Sequence, residues 1–373
     1  MSGTRSYWVG TYPAAGAGTP VGQGEGIWRV ELASDGSAVD AALAAVTPAP
    51  SFLARHPERP VLYAVNEMAP AGRLSAWAIG PGSTLRPLGT VSSGGGDPCH
   101  LLVHPAGRAL YACNYASGTV ATVLLEPAGG FDPMALERGE PTVVLGHHGT
   151  GPERARQEGP HAHFAAFAPS GRWVLVVDLG TDELRRYRVE SDGRLVADGI
   201  AARLPAGTGP RHLAFGPRGA LYVVGELDAT VHTLRWDDTS GTASHLQVLP
   251  ACGTGLRSGH RVLPAHIGLA GGRLYLSVRG ADVIAVFEVS EDGALRPSAE
   301  VDSGGTWPRH FAAEVGRMII ANQTGGGLAA LALGEPRSAD GHAPAEHAQA
   351  GIPTVLGRLD LPSPACVIAE QSA

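Results

Sequence analysis

The sequence predicts an all-β protein built as a seven-bladed β-propeller, and three observations carry that prediction. The first is internal repetition, since one unit of roughly fifty residues, the length of a propeller blade, recurs along the chain. The second is local: segments such as YVVGEL, LYLSVRG and VATVLL are short, rich in β-branched or aromatic residues, and bounded by Gly, Pro and Asp, as strands are. No helical periodicity is sustained. The third is compositional. The 373 residues include 52 Gly and 29 Pro, yet 44% are hydrophobic and no low-complexity tract dominates, so the excess of Gly and Pro belongs to turns.

The repeated unit is a short strand, a Pro/Gly/Arg turn, a second apolar strand ending in a polar residue, another turn, and a third apolar strand. A truncated copy opens the chain as YWVGTY followed by GEGIWRVEL. The next reads PSFLARHPERPVLYAVNE at 50–67, then PCHLLVHPAGRALYACNYASGTVATVLL at 98–125 and PHAHFAAFAPSGRWVLVVDLGTDELRRYRV at 160–189. Three more follow: PRHLAFGPRGALYVVGELDATVHTLRW at 210–236, PAHIGLAGGRLYLSVRGADVIAVFEV at 264–289 and PRHFAAEVGRMIIANQTGGGLAALAL at 308–333. Two tandem β-sandwiches would also use short strands, but they do not repeat one turn sequence seven times. Because each small sheet buries its faces only against its neighbours, the ring must close. The segment PTVLGRLDLPSPACVIA is therefore expected beside the N-terminal strand, the whole of 1–373 forming one propeller. Two insertions interrupt the period: 126–158, read as a long polar loop over blade three, and 334–350, read as a solvated loop.

A formal charge of −7 gives no basic field for nucleic acid or an acidic membrane surface, so a small molecule is the expected partner. No apolar run has the length of a signal peptide or of a membrane span, and a cytoplasmic protein, monomeric or weakly homo-oligomeric, is expected. Cys99, Cys113, Cys252 and Cys366 show no CxxC spacing and read as free thiols rather than zinc ligands or a disulfide framework. Neither a metal nor a cofactor is expected.

In an antiparallel hairpin the start of the first strand and the end of the second lie at one end. With the first strand innermost, those positions gather around one mouth of the channel. They bring together His100 with Asn114, His161 and His163 with Asp178, Arg211 and His212 with Glu226, His266 with Arg279, and Arg309 and His310 with Asn322, with Asn66 and Glu67 in the first complete copy. His100, His212, His266 and His310 share one register, and Asn66, Asn114, Asp178 and Asn322 another. Such repeated residues serve equally to bond one blade to the next or to bind substrate. The departures from the repeat say more. Arg211 and His163 stand where other blades have Ser51 and Cys99, and Glu226 and Arg279 read as occupying the Asn/Asp register, which marks Arg211, Glu226 and Arg279 for ligand contact.

Other chemistries fit poorly. Cys99 and His100 are strand neighbours expected on opposite faces, no G-x-S-x-G is present for a serine nucleophile, and no histidine pair has HExxH spacing.

The segments GDPCH (96–100), CNYASGTV (113–120), GPHAHFAAFAPSGRWVLVVDLGTD (159–182), GTGPRHLAF (207–215), VRG (278–280) and WPRHF (307–311), in this order and spacing, make the chain resemble the lactonase seven-bladed propellers. That family includes 6-phosphogluconolactonase and carboxy-muconate lactonising enzyme. The resemblance covers essentially the whole chain. It implies a channel-mouth cluster of one histidine, two arginines and a glutamate, here His161 or His163, Arg211, Arg279 and Glu226. The family's Asn before the glutamate is Gly225 here, and its His-Asp-Ser after Arg-Gly is Ala281-Asp282-Val283.

By the same resemblance the expected activity is metal-independent hydrolysis of a sugar lactone, 6-phosphogluconolactone to 6-phosphogluconate, the pentose phosphate pathway reaction. Glu226 or His163 would act as general base, the carboxyl pKa raised by burial. Arg211 or Arg279 would stabilise the oxyanion, and the other would hold the anionic group of a lactone or sugar acid. Arg309, His100, His212, His266, His310, Asn114 and Asn322 would complete the substrate site. A muconate-type lactonising enzyme and a non-catalytic binding or scaffold propeller are the alternatives.

Overall fold

The computed structural model describes residues 4–12, 24–256, 261–333 and 353–370. Its strands form seven four-stranded antiparallel sheets, each running outward from the channel. Blade two holds Leu53–Arg55, Val61–Asn66, Arg73–Ile79 and Leu85–Ser92; blade three Pro98–Val103, Ala109–Asn114, Thr119–Leu124 and Val143–Leu145. Blade four holds Ala162–Phe167, Trp173–Asp178, Glu183–Val189 and Leu195–Arg203; blade five Pro210–Phe215, Ala220–Gly225, Thr230–Asp237 and Thr242–Pro250. Blade six holds Leu263–Ala270, Arg273–Arg279, Val283–Val289 and Leu295–Asp302; blade seven Thr306–Glu314, Arg317–Gly325, Leu328–Ala332 and Thr354–Leu359. Blade one closes the ring, with Pro364–Ala369 innermost beside Arg5–Thr11, then Gly26–Leu32 and Ala38–Val46. The innermost strands touch in sequence all the way round.

Each second strand is buried along almost its whole length, packed between its own blade and the next, so it reads as an uninterrupted apolar run. A tyrosine in that strand staples neighbouring blades. Tyr63, Tyr111 and Tyr222 donate their hydroxyls to the carbonyls of Gly129, Gly193 and Gly293 in the next blade at 2.6, 2.6 and 2.8 Å. Those three glycines have φ of +89, +92 and +89°, a backbone state that disfavours a side chain, so the staple needs glycine at its receiving end.

Two expectations are corrected or limited here. Residues 126–158 are not one loop: they include a six-residue helix, Pro133–Arg138, capped by Asp132, and blade three's outer strand, Val143–Leu145. Residues 334–350 lie outside the described residues. Cys99, Cys113, Cys252 and Cys366 are free thiols. No described helix is long and apolar enough to cross a membrane.

Candidate functional site

The channel is built in three storeys, each supplied by one register of the repeat. The lowest is a plug. Phe52, His100, Phe164, His212, His266 and His310 follow one another around the axis with ring centroids 4.4, 4.1, 4.3, 5.2 and 4.0 Å apart, and His310 returns to Phe52 at 5.4 Å. Burial drives the pKa of His100, His212 and His266 well below the ordinary value, and that of His310 to about 3, so the ring is uncharged.

Above the plug, the first strands of blades three to seven each carry an extra residue where pairing with the second strand slips: Pro98 faces Asn114 but His100 faces Cys113, and Ala162 faces Asp178 but Phe164 faces Val177. The slip recurs at Arg211-His212, Ala265-His266 and Arg309. A bulge re-aims the extra side chain, and here it brings Cys99, His163, Arg211 and Arg309 into the cavity walls. The alternation expected of Cys99 and His100 is thereby broken: both face the channel, at different heights. The Cys99 thiol contacts the His163 Nδ1 at 3.9 Å, and burial pushes its pKa far up, so it stays protonated.

The third storey is the residue just past the polar end of each second strand. The Asn/Asp register comprises Asn66, Asn114, Asp178, Gly225, Val278 and Asn322; Glu226 and Arg279 stand one residue later, with Glu67 and Tyr115. Their placement in the Asn/Asp register is therefore corrected by one residue. The difference matters because successive residues leave a strand on opposite sides. Asn66, Asn114 and Asn322 turn away from the cavity and donate to the carbonyls of Pro48, Ser93 and Ser303 at 2.6, 2.8 and 3.0 Å, tying each blade to the chain that arrives from the one before. Asp178 accepts from the His161 and Thr181 amides at 3.0 and 2.9 Å.

Glu67, Tyr115, Arg156, His161, His163, Arg211, Glu226, Arg279, Trp307 and Arg309 thus line one cavity of about 260 Å³. At its centre Glu226 is held by three guanidiniums: Arg279 Nη2 at 2.6 Å, Arg156 Nη2 at 2.7 Å and Arg211 Nε at 2.9 Å. Burial alone would raise the Glu226 pKa, but Arg279, Arg156 and Arg211 outweigh it and hold the carboxylate well below its usual range. The expected upward shift is overturned, because three cations face the one anion. Arg211 also donates through Nη1 to the Ala265 carbonyl at 2.7 Å and contacts His212 Nε2 at 3.1 Å, while its Nε, 2.9 Å from Glu226, lacks hydrogen-bond geometry. Since a guanidinium only donates, His212 Nε2 accepts, and its Nδ1–H is left to donate to His266 Nδ1 at 2.9 Å.

The two histidines differ in what their nitrogens face. His163 is buried, and burial followed by Arg211 depresses its pKa strongly. His161 stacks on Tyr115 at 4.4 Å and donates from Nδ1 to the Tyr115 carbonyl at 2.8 Å, which leaves Nε2 unprotonated in the neutral ring. That Nε2 faces Glu158 Oε2 at 3.4 Å without hydrogen-bond geometry. Across the cavity Arg309 donates to the Tyr12 hydroxyl at 2.6 Å, and Tyr12 and Ser51 both donate to Glu67, whose pKa burial raises.

His161, His163, Arg211, Glu226, Arg279 and Arg309 are therefore brought together. His100, His212, His266 and His310 lie in the plug and do not line the cavity, and Asn114 and Asn322 donate to backbone carbonyls. His100 Nδ1 accepts from the Ala165 amide in blade four at 3.2 Å, the inter-blade role weighed for it. Sequence reasoning missed Arg156 and Tyr115. Arg156 lies in PERARQE, where the only signal was the length of the insertion.

Comparison with known proteins adds lineage to geometry. The sequence profile of the family "Lactonase, 7-bladed beta-propeller" matches residues 6–338. A 6-phosphogluconolactonase from Bacillus subtilis is 32% identical over 327 residues, covering 86% of this chain and 89% of that protein. A crystal structure of a Lactobacillus plantarum protein superposes with a TM-score of 0.83 at 26% identity, over 99% of this chain and all of that one. The periplasmic gluconolactonase of Pseudomonas aeruginosa, 24% identical with a TM-score of 0.82 over 98% of this chain and 99% of its own, shares the fold.

Proposed function

The chain belongs to the lactonase seven-bladed β-propeller family, and from that premise we propose that it hydrolyses a sugar lactone, 6-phosphogluconolactone, to the open acid without a metal ion. The observation that carries this reading is a cluster of three arginines on one carboxylate, which leaves an excess of positive charge beside an imidazole oriented by the Tyr115 carbonyl. Excess cation in a buried pocket favours an anionic substrate, and favours still more the charge that develops on an attacked carbonyl.

In this reading His161 Nε2 takes a proton from water as the water oxygen adds to the lactone carbonyl carbon. The guanidinium charge of Arg211, with Arg279 beside it, stabilises the oxyanion. The tetrahedral carbon then expels the ring oxygen, which takes the proton back from His161 and leaves as the new hydroxyl. Glu226 stays ionised throughout and fixes the arginines; its low pKa makes it a poor base near neutrality. His163 stays neutral as part of the wall. Among the described residues no three His, Cys, Asp or Glu converge as metal ligands, and this route needs none.

The test is acid release in a pH-stat from freshly generated 6-phosphoglucono-δ-lactone with EDTA present, comparing the native chain with His161→Gln. Catalysis well above the spontaneous rate, lost in the folded variant, supports the reading. Release at the background rate by the native chain refutes it.

A further inference from the structure

We infer that Arg156 is the specificity-determining residue that makes this site prefer a lactone carrying a phosphate monoester. The inference rests on the lactonase reading of the same cavity.

Arg156 differs from the other cavity arginines in depth. The Arg211 and Arg279 side chains are 3% and 4% exposed and are spent on Glu226 and on backbone carbonyls, whereas that of Arg156 is 33% exposed and stands at the mouth. Its position is nevertheless fixed. Nη2 is tied to Glu226, and Nε and Nη2 lie 3.3 and 3.2 Å from the Tyr115 hydroxyl, while Nη1 has no partner among the described residues. Nε and Nη2 are thus engaged, and Nη1 with its two N–H groups is presented to whatever enters.

The strap that carries it is anchored as well. Gln157, fully buried, donates to the Leu179 carbonyl and to Asp182, both at 2.9 Å, and its carbonyl accepts from the Gly151 amide at 2.9 Å. Arg156 is therefore held before substrate arrives, which spares the entropy of ordering a long side chain on binding.

The chemistry of the substrate supplies the match. With the carbonyl at Arg211 and His161, deep in the cavity, a phosphate on the exocyclic carbon is several bonds away and reaches toward the mouth. The two N–H groups of the anchored Nη1 can donate charge-assisted hydrogen bonds to phosphate oxygens from a position fixed by the other two nitrogens. Arg156 comes from the irregular strap between blades three and four, so it can change without disturbing the repeat that builds the fold.

The experiment compares kcat/KM for 6-phosphoglucono-δ-lactone and for glucono-δ-lactone in the native chain, Arg156→Gln and Arg156→Lys. Because Arg156 also braces Glu226, both substrates lose rate in Arg156→Gln. The expected result is that the phosphorylated one loses roughly 10- to 100-fold more, chiefly in KM, the scale of a charge-assisted hydrogen-bonded pair. Arg156→Lys, which keeps the charge and loses the anchoring to Tyr115 and Glu226 that fixes the free donor, restores the preference only in part. Equal losses for both lactones, with either variant folded, would overturn the inference and reduce Arg156 to a brace. A native chain inactive on both lactones would instead fail the lactonase reading itself, and this inference with it.

Discussion

Replacing Glu226 with glutamine separates two roles that a buried glutamate can play in such a site. As a general base, it would set the acid limb of the pH–rate profile. As the anchor of Arg156, Arg211 and Arg279, at 2.7, 2.9 and 2.6 Å, it sets the position of the cations and does not set the acid limb. Glutamine keeps the shape and removes the charge, so three guanidiniums are left around a neutral amide. Breaking a buried ion pair by removing one partner costs about 3–5 kcal/mol. A loss of that size lowers the melting temperature by about 4–6 °C in a chain of this length.

The sign of the pH dependence follows from the direction of the Glu226 shift. Its folded pKa lies below the unfolded value, so its stabilisation is fully present above the unfolded carboxyl pKa and is lost as pH falls through the folded one. The melting difference between native and variant should therefore be constant near neutrality and shrink below about pH 4. With the oxyanion donors misplaced, kcat should fall on the order of 10²–10³, while the acid limb of the kcat profile keeps its position. Thermal melts followed by circular dichroism and pH-stat profiles on one preparation read both. An acid limb that vanishes in the folded variant would refute the anchoring role and return Glu226 to the part of base.

Two further predictions concern the frame. The buried, neutral His100, His163, His212, His266 and His310 have folded pKa values below the unfolded value of about 6.5. Each therefore stabilises the fold fully above that pH and takes away up to about 1.4 kcal/mol per pH unit below it; urea midpoints at pH 7.5 and 5 should differ strongly, and a His310→Phe variant should show a shallower acid loss. Gly193→Ala should destabilise by about 1–3 kcal/mol, because its φ is +92° and the new Cβ would meet that of Ala109 at 3.1 Å; an unchanged midpoint in urea would remove the claim that the Tyr111 staple requires glycine.

The architecture was legible because a propeller writes its period into the sequence: the turn grammar marks the blades, and closure of Pro364–Ala369 on Arg5–Thr11 follows from the need to bury two open sheet faces. The gathering of Arg211, Glu226, Arg279, His161 and His163 was legible because the start of each first strand and the end of each second lie at one end of the blade, although Glu226 and Arg279 stand one residue beyond the Asn/Asp register. What escaped depends on features that periodicity does not encode. The bulges at Cys99, His163 and Arg211 shift alternation by one residue, so Cys99 and His100 share the channel and the plug separates from the cavity floor. Arg156 arrives on a strap with no counterpart in other blades. Arg156 adds a third cation to the Arg211 and Arg279 expected beside Glu226, and together they reverse the upward shift that burial alone would give its carboxyl.

The most direct test of the account is the rate of acid release from fresh 6-phosphoglucono-δ-lactone, with EDTA present, by the native chain and by His161→Gln at matched foldedness. The account predicts rapid release by the native chain and a variant close to the spontaneous rate. Full activity in His161→Gln would contradict the assignment of the base, and background release by the native chain would contradict lactone hydrolysis at this channel mouth.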